Sequence, residues 1–291
     1  MRFAFSNIDG LISAALVEDS TSFDATTDAL ISSEHVAEAS IISKSNGIVS
    51  GLEVSELVFK KMDNSLDYSY KATDGDKVIE YQPVATIKGS FASILKGERT
   101  ALNFLQRMSG ISTLVSKYVD AVSGTNAKIV DTRKTLPGHR ILDKYAVKIG
   151  GGDNHRINLS DGILIKDNLI NFLKNNGYSL SEIINKARLN AGFGLKIEIE
   201  VETYKDAVNS VKSGADIVLL DNMPLDEMEK TVNDLRTIDK NVLIEASGGI
   251  GLNNVSNIAK TGVDIISVGA LTHSVIAHDF SLISSCEYFT E

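Results

Sequence analysis

The chain has 291 residues, 43% of them hydrophobic and 23% charged, enough for one large domain or two modest ones with a sizeable core. Its net charge of -9 argues against nucleic acid or an anionic membrane surface as the main partner. No run approaches the roughly 18 apolar residues of a membrane span, no signal peptide is visible at the N-terminus, and one cysteine, Cys286, fits a reducing cytoplasm and no Cys-rich metal site.

The first hundred residues read as mixed. Leu11–Val17 carries a short helical pattern, Ala39–Lys44 and Val84–Gly89 read as strands, and Val54–Met62 reads as a helix. A stronger helix is predicted from near Glu98, with Leu102, Leu105, Met108, Ile111, Leu114, Val115, Tyr118 and Val122 on one buried face. Arg99 then falls at the helix start, where a cation opposes the macrodipole and serves something other than the helix.

From residue 128 short apolar runs recur, roughly 20–35 residues apart: Lys128–Asp131, Gly162–Lys166, Lys196–Val201, Ile217–Asp221, Val242–Ala246 and Asp264–Gly269. That spacing leaves room for a crossover helix between parallel strands, and Asp206–Lys212, Leu225–Leu235 and Asn254–Ala259 supply candidates. Each run closes on a polar or glycine element, so the series predicts an α/β barrel with its site at the C-terminal strand ends. A doubly wound sheet would gather only the ends beside its switch point.

Inside this acidic chain lies a cationic stretch. From Asp131 to Lys166 seven Lys/Arg oppose four Asp, a local balance of +3, with His139 and His155 beside them. Arg133, Lys134, His155, Arg156 and Lys166 follow or flank predicted strands, and so many cations imply a ligand with several negative groups. Glu198, Glu200 and Glu202 alternate along one strand and are expected on one face. Glu200 with Asp221 has three open roles: coordinating Mg²⁺, binding sugar hydroxyls or stabilising developing positive charge. Ion pairing with the basic strand ends is the simpler alternative. Ser247, Gly248 and Gly249, and Gly269 after the last strand, suit a phosphate cradle. The inventory fits transfer between a phosphosugar and a carboxylate-bearing partner.

These residues sit in longer motifs: Glu98-Arg-Thr-Ala-Leu-Asn103, Asp131-Thr-Arg-Lys-Thr135, Gly150-Gly-Gly-Asp-Asn-His-Arg156, Leu164-Ile-Lys-Asp-Asn168, Leu219-Leu-Asp-Asn-Met223, Glu245-Ala-Ser-Gly-Gly249 and Ser267–Ser274. Across nearly its whole length the chain resembles the quinolinate phosphoribosyltransferases, also called nicotinate-nucleotide pyrophosphorylases (carboxylating). The resemblance implies an N-terminal α/β sandwich domain, residues 1–105, joined by a C-terminal tail, 275–291. An open, incomplete TIM-like α/β barrel would take residues 106–274. It also implies a homodimer or larger homo-oligomer with shared active sites, in which Arg99 reaches a neighbour's site.

The implied reaction joins quinolinate to phosphoribosyl pyrophosphate with Mg²⁺, giving nicotinate mononucleotide, pyrophosphate and CO₂. Arg99, Arg133, His155, Arg156 and Lys166 would hold the pyridine carboxylates, and Lys134 the pyrophosphate side. Glu200 and Asp221 would bind the ribose hydroxyls or Mg²⁺, and Ser247, Gly248, Gly249 and Gly269 the 5′-phosphate. Three positions depart from the family pattern: Leu169 replaces a histidine, Asn158 a glycine and Phe23 a glycine. They motivate a second reading, a paralogue using another pyridine or aromatic acid. A non-catalytic anion binder is a third, and it has no use for Glu200, Asp221 and two glycine loops.

Overall fold

A computed structural model describes residues 8–32 and 34–285. In chain order the elements are α1 (Asp9–Glu18), α2 (Ala25–Leu30), β1 (Val36–Ser43), β2 (Gly47–Ile48), α3 (Leu52–Met62), β3 (Asp67–Tyr70), β4 (Lys77–Val78), β5 (Pro83–Ser90) and α4 (Phe91–Ala121). They continue with β6 (Lys128–Val130), α5 (Arg140–Ile149), β7 (Ile163–Ile165), α6 (Asp167–Asn175), α7 (Leu180–Asn190), β8 (Ile197–Val201) and α8 (Tyr204–Lys212). The last are β9 (Ile217–Asp221), α9 (Leu225–Ile238), β10 (Leu243–Ser247), α10 (Val255–Lys260), β11 (Ile265–Ser267), α11 (Ala270–His273) and β12 (Phe280–Ser285). No helix among the described residues is long and apolar enough to cross a membrane. Cys286 lies outside the described residues.

The chain divides into two compact units. The first takes Met1–Ser116, Leu136–Gly151 and Ser274–Glu291; the second takes Lys117–Thr135 and Gly152–His273. The boundary expected at 105/106 falls inside α4, and residues 136–151, expected in the barrel, pack with the first unit. Their anchor there is electrostatic. Asp143 on α5 is fully buried and takes a two-pronged contact from Arg107 on α4, with both N···O distances 2.8 Å.

In the first unit an antiparallel sheet runs β12-β1-β5-β3. Along β1, Ala37, Ala39, Ile41 and Ser43 are buried, the alternation of a strand with one face on a core. The C-terminal strand β12 completes the sheet, pairing Glu38↔Ser285 through Ser43↔Phe280. The strands expected at 39–44 and 84–89 are β1 and β5, and the short helices expected at 11–17 and 54–62 are α1 and α3.

One expectation here is corrected. The long helix begins at Phe91, not near Glu98, so Arg99 is well inside it and opposes no helix-start dipole. In the structure a Cβ at Gly97 would lie 3.0 Å from the Phe59 ring of α3, so the glycine permits close helix packing instead of ending the helix.

In the second unit six parallel strands run in the order β6-β11-β10-β9-β8-β7. All six predicted runs are strands, and the three predicted helices are α8, α9 and α10. The two edge strands, β6 and β7, do not pair with each other; beside β6, Val130 makes only an isolated parallel bridge to Asp153. Just past that bridge, His155 touches Glu198 on β8 and Glu245 on β10. In a flat sheet β8 would be four strands away from β6, so the sheet curls around its own interior. The result is an open α/β barrel, in which every strand end faces one mouth.

Candidate active site

The site is built from strand ends of the second unit. After β6 the chain turns at Thr132, whose hydroxyl accepts the Lys134 N–H at 3.1 Å, while the Lys134 carbonyl accepts the Thr272 hydroxyl at 3.0 Å. The Lys134 side chain crosses Gly269: a Cβ there would sit 3.0 Å from Lys134 Cδ and 3.1 Å from His273. Glycine at 269 is therefore what brings the lysine against the last strand's loop.

Arg133 and Arg156 form the cationic wall. The Nε atoms of both are buried and have no hydrogen-bond partner in the protein. Burial pushes the Arg156 guanidinium down from its ordinary value; Glu198 acts the other way, and the like charge of Arg133 adds to the fall. Two guanidiniums held together with unused donors favour a multiply charged anion between them.

Behind them lies a buried cluster. His155 Nε2 lies 3.1 Å from Glu198 Oε2 and 3.2 Å from Glu245 Oε2. Burial opposes a charge on this ring, but the hydrogen bonds and charges of Glu198 and Glu245 outweigh it, and its pKa is pushed up to about 10. His155 therefore stays an imidazolium through the neutral range. Glu198 is itself pushed up by burial and by Glu245, with His155 opposing.

The sign of the linkage follows. The folded chain keeps the His155 proton above the ordinary 6.5, where the unfolded chain releases it, so the stabilisation is full below pH 6.5 and lost as pH rises through about 10. KM for an anionic substrate held by His155 is expected to stay flat from pH 6.5 to about 9. A steady-state pH profile in which KM climbs near pH 7, and in which that climb disappears in His155→Gln, would contradict it.

The acids stand across the mouth. Glu200 Oε2 lies 3.3 Å from Lys166 Nζ. Burial raises the Glu200 carboxyl, Lys166 lowers it, and the charges of Asp221 and Asp167 raise it again. Asp221 ends β9 in register with Ser247 on β10 and accepts a hydrogen bond from Asn222 Nδ2 at 2.9 Å. Asn222 adopts φ 52° and donates its N–H to the Ser247 carbonyl at 2.9 Å. Gly248 has φ +89°, and a Cβ there would fall 2.3 Å from Asn222 Oδ1. Both the left-handed backbone and the contact demand glycine. Gly248→Ala is expected to cost about 2–3 kcal/mol of stability, from strain plus the clash, and to displace the Asp221–Asn222 turn. Chemical denaturation together with an activity assay checks it; an alanine variant as stable and active as the parent would refute the constraint.

The structure thus groups Arg133 with Arg156, Lys166 with Glu200, Asp221 with Ser247–Gly249, and Lys134 with Gly269. It does not group all of the cationic stretch. Arg140, Lys144 and Lys148 lie on α5 in the first unit. His139, also in that unit, stacks on Phe104 at 5.6 Å, and burial lowers its pKa. Arg99 is exposed on the first unit's part of α4, 3.9 Å from Glu98. Glu202 is a second correction: β8 ends at Val201, and Glu202 is exposed in the bend before α8, so only Glu198 and Glu200 share the expected face. Of the departing positions, Leu169 is exposed in the first turn of α6, Asn158 Oδ1 accepts the Ser160 N–H at 2.8 Å in a surface loop, and Phe23 is exposed.

Sequence reasoning gave no role to Glu245, Asn222 or Asp131. Asp131 is fully buried and accepts the His155 N–H at 3.0 Å and Asn154 Nδ2 at 2.6 Å. A carboxylate closing an apolar run was the signal for Asp131, but nothing local tied Glu245 to His155. Among the described residues, one group of three side chains, His155, Glu198 and Glu245, is close enough to share an ion.

An open parallel barrel with a cation wall, a carboxylate pair and glycine loops at its C-terminal strand ends defines an α/β-barrel enzyme handling a polyanionic substrate. Family models described as "Quinolinate phosphoribosyl transferase, N-terminal domain" and "C-terminal domain" match residues 24–109 and 111–283. The chain belongs to the quinolinate phosphoribosyltransferase family. It is 39% identical over 272 residues to a probable nicotinate-nucleotide pyrophosphorylase (carboxylating) of Bacillus subtilis (strain 168), covering 94% of this chain and 91% of that protein. It is also 39% identical over 291 residues to quinolinate phosphoribosyltransferase (decarboxylating) 1 of Nicotiana glauca, covering 95% of this chain and 82% of that one. The crystal structure of NadC from Streptococcus pyogenes matches with a TM-score of 0.91 at 38% identity, over 98% of this chain and 99% of that chain.

Proposed function

We propose that this chain transfers the phosphoribosyl group of phosphoribosyl pyrophosphate to quinolinate with loss of CO₂, giving nicotinate mononucleotide and pyrophosphate, as a pentosyltransferase of NAD biosynthesis. The observation that carries the reading is the pair of half-buried arginines, Arg133 and Arg156, whose buried Nε donors have no protein partner. Quinolinate brings two adjacent carboxylates, enough charge to relieve their mutual repulsion and accept their donors. His155 and Lys166 add further cations, and Arg99 of a second copy completes the set in a homodimer or larger assembly with shared sites.

The second substrate meets the other half of the mouth. Ser247, Gly248, Gly249 and Gly269 offer backbone N–H groups to its 5′-phosphate, and Lys134 meets its pyrophosphate. The bond from C1′ to the pyrophosphate oxygen breaks as the pyridine nitrogen lone pair forms the new bond to C1′. Glu200 and Asp221 face the positive charge that develops on the ribose. The ring nitrogen is then cationic, and its charge stabilises the in-plane electron pair that stays on the adjacent ring carbon as CO₂ departs, until that pair takes a proton from water.

Glu200 and Asp221 also fit Mg²⁺, since they are oxygen donors whose like charges raise the Glu200 carboxyl, a strain that a hard cation relieves. When bound there, Mg²⁺ would neutralise charge on the phosphosugar and its leaving group. The low cysteine count fits a cytoplasmic site of action.

Incubation of the purified protein with phosphoribosyl pyrophosphate, Mg²⁺ and either quinolinate or nicotinate tests the reading. Release of CO₂ and nicotinate mononucleotide from quinolinate is expected. Turnover of nicotinate but not quinolinate would overturn it and favour the paralogue reading.

A further inference from the structure

Glu198 and Glu245 come from strands two apart in the sheet, β8 and β10, yet both present a carboxylate oxygen to one atom, His155 Nε2. They are 3% and 1% exposed, and Glu198 Oε1 has no hydrogen-bond partner at all. Burying two carboxylates is costly unless the group they meet repays it. Apolar side chains would fill the same interior at less cost. One flank of His155 and Glu198 borders a cavity of about 340 Å³, lined by Ile163, Ile217 and Ile265 together with Arg156, Asp161 and Lys196, so packing on that side does not hold the ring.

We propose that Glu198 and Glu245 are positioning residues for the pyridine substrate: they clasp His155 by Nε2 and so fix the direction in which its ring meets the substrate carboxylates. This rests on the activity proposed above. The clasp acts with Asp131, which anchors the backbone N–H of His155 and the side chain of Asn154, so main chain and ring are held separately. The charged groups around the ring are Glu198 from β8, Glu245 from β10, Asp131 after β6, its neighbour Arg156, and Arg133 beyond it. The carboxylates also keep the ring cationic, with its pKa at about 10. Their effect falls on quinolinate and not on the phosphosugar, because among the described residues both carboxylates meet His155 and not Lys134 or the glycine loops.

The test uses the full chain with Glu245→Gln and, independently, Glu198→Gln. Each variant is read for substrate KM values, quinolinate binding by calorimetry, thermal unfolding, and NMR of the histidine ring nitrogens. A rise of about tenfold or more in KM and Kd for quinolinate is expected, as for loss of a charge-assisted hydrogen bond. KM for phosphoribosyl pyrophosphate should stay within about twofold, and the His155 Nε2 resonance should move. Glu245→Asp should recover part of the affinity. Unchanged quinolinate affinity, or an equal loss for both substrates with the His155 resonance unmoved, overturns the clasp. Failure of the activity itself looks different: a parent protein that binds quinolinate without converting it, while the Gln variants bind it weakly, sinks the reaction and leaves the clasp standing. If Glu245→Gln does not fold, Glu198→Gln carries the same comparison.

Discussion

Arg99→Ala and Lys134→Ala should each abolish turnover, and mixing the two inactive proteins should restore about a quarter of wild-type activity. The arithmetic is that of a two-fold dimer with shared sites: half of randomly mixed dimers are hybrids, and each hybrid holds one intact site of two. Arg99 is exposed, and it lies 3.9 Å from Glu98, too long for a strong contact. A cation on the surface of the N-terminal unit has little to do for its own chain, which is what a residue reserved for a neighbour looks like. Lys134 belongs to the other half of the experiment because it lies in the barrel unit against Gly269. Subunit exchange followed by the CO₂-release assay reads the outcome. No recovery after verified exchange would show that Arg99 does not act across an interface.

The second large effect concerns Arg133. Arg133→Ala should raise KM for quinolinate about a hundredfold, the loss expected for a guanidinium that binds a carboxylate through two donors, with KM for phosphoribosyl pyrophosphate little changed. Its stability should not fall with its activity. Arg133 leaves Nε without a partner, and its charge pushes the Arg156 guanidinium down, so its removal relieves a repulsion in the free protein. We expect Tm to hold or rise while quinolinate affinity collapses. Calorimetric unfolding beside steady-state kinetics checks both. A fall in Tm matching the loss of affinity would mean that Arg133 supports the fold more than the ligand.

Much of this site was legible in the chain. Each barrel strand announced itself as a short run rich in apolar residues, because strands covered on both faces favour them; Glu198, Glu200 and Glu245 are the exceptions, inside β8 and β10. Arg133, Lys166, Asp221 and Ser247 were readable because they stand at or just past the strand ends, where that constraint lapses. What misled was charge counted along the sequence. Arg140, Lys144 and Lys148 belong to α5, whose buried Asp143 binds Arg107, so part of the cationic stretch answers to the first unit. Gly97 carried no local signal, since its value is a close approach to Phe59 that only the folded helix pair creates.

By itself, then, the sequence determined the strand-and-helix series, the chemistry at each strand end and the family. These depend on local pattern and on residue identity, which the chain carries openly. Only the tertiary structure decided that His155 would be clasped by Glu198 and Glu245, that Gly248 must yield to Asn222, and that Glu202 would be left in solvent. Those facts depend on how strongly a six-stranded sheet curls and on where each strand stops. Curl sums small twists and packing contacts between residues far apart in the chain, and no short stretch of sequence contains that sum.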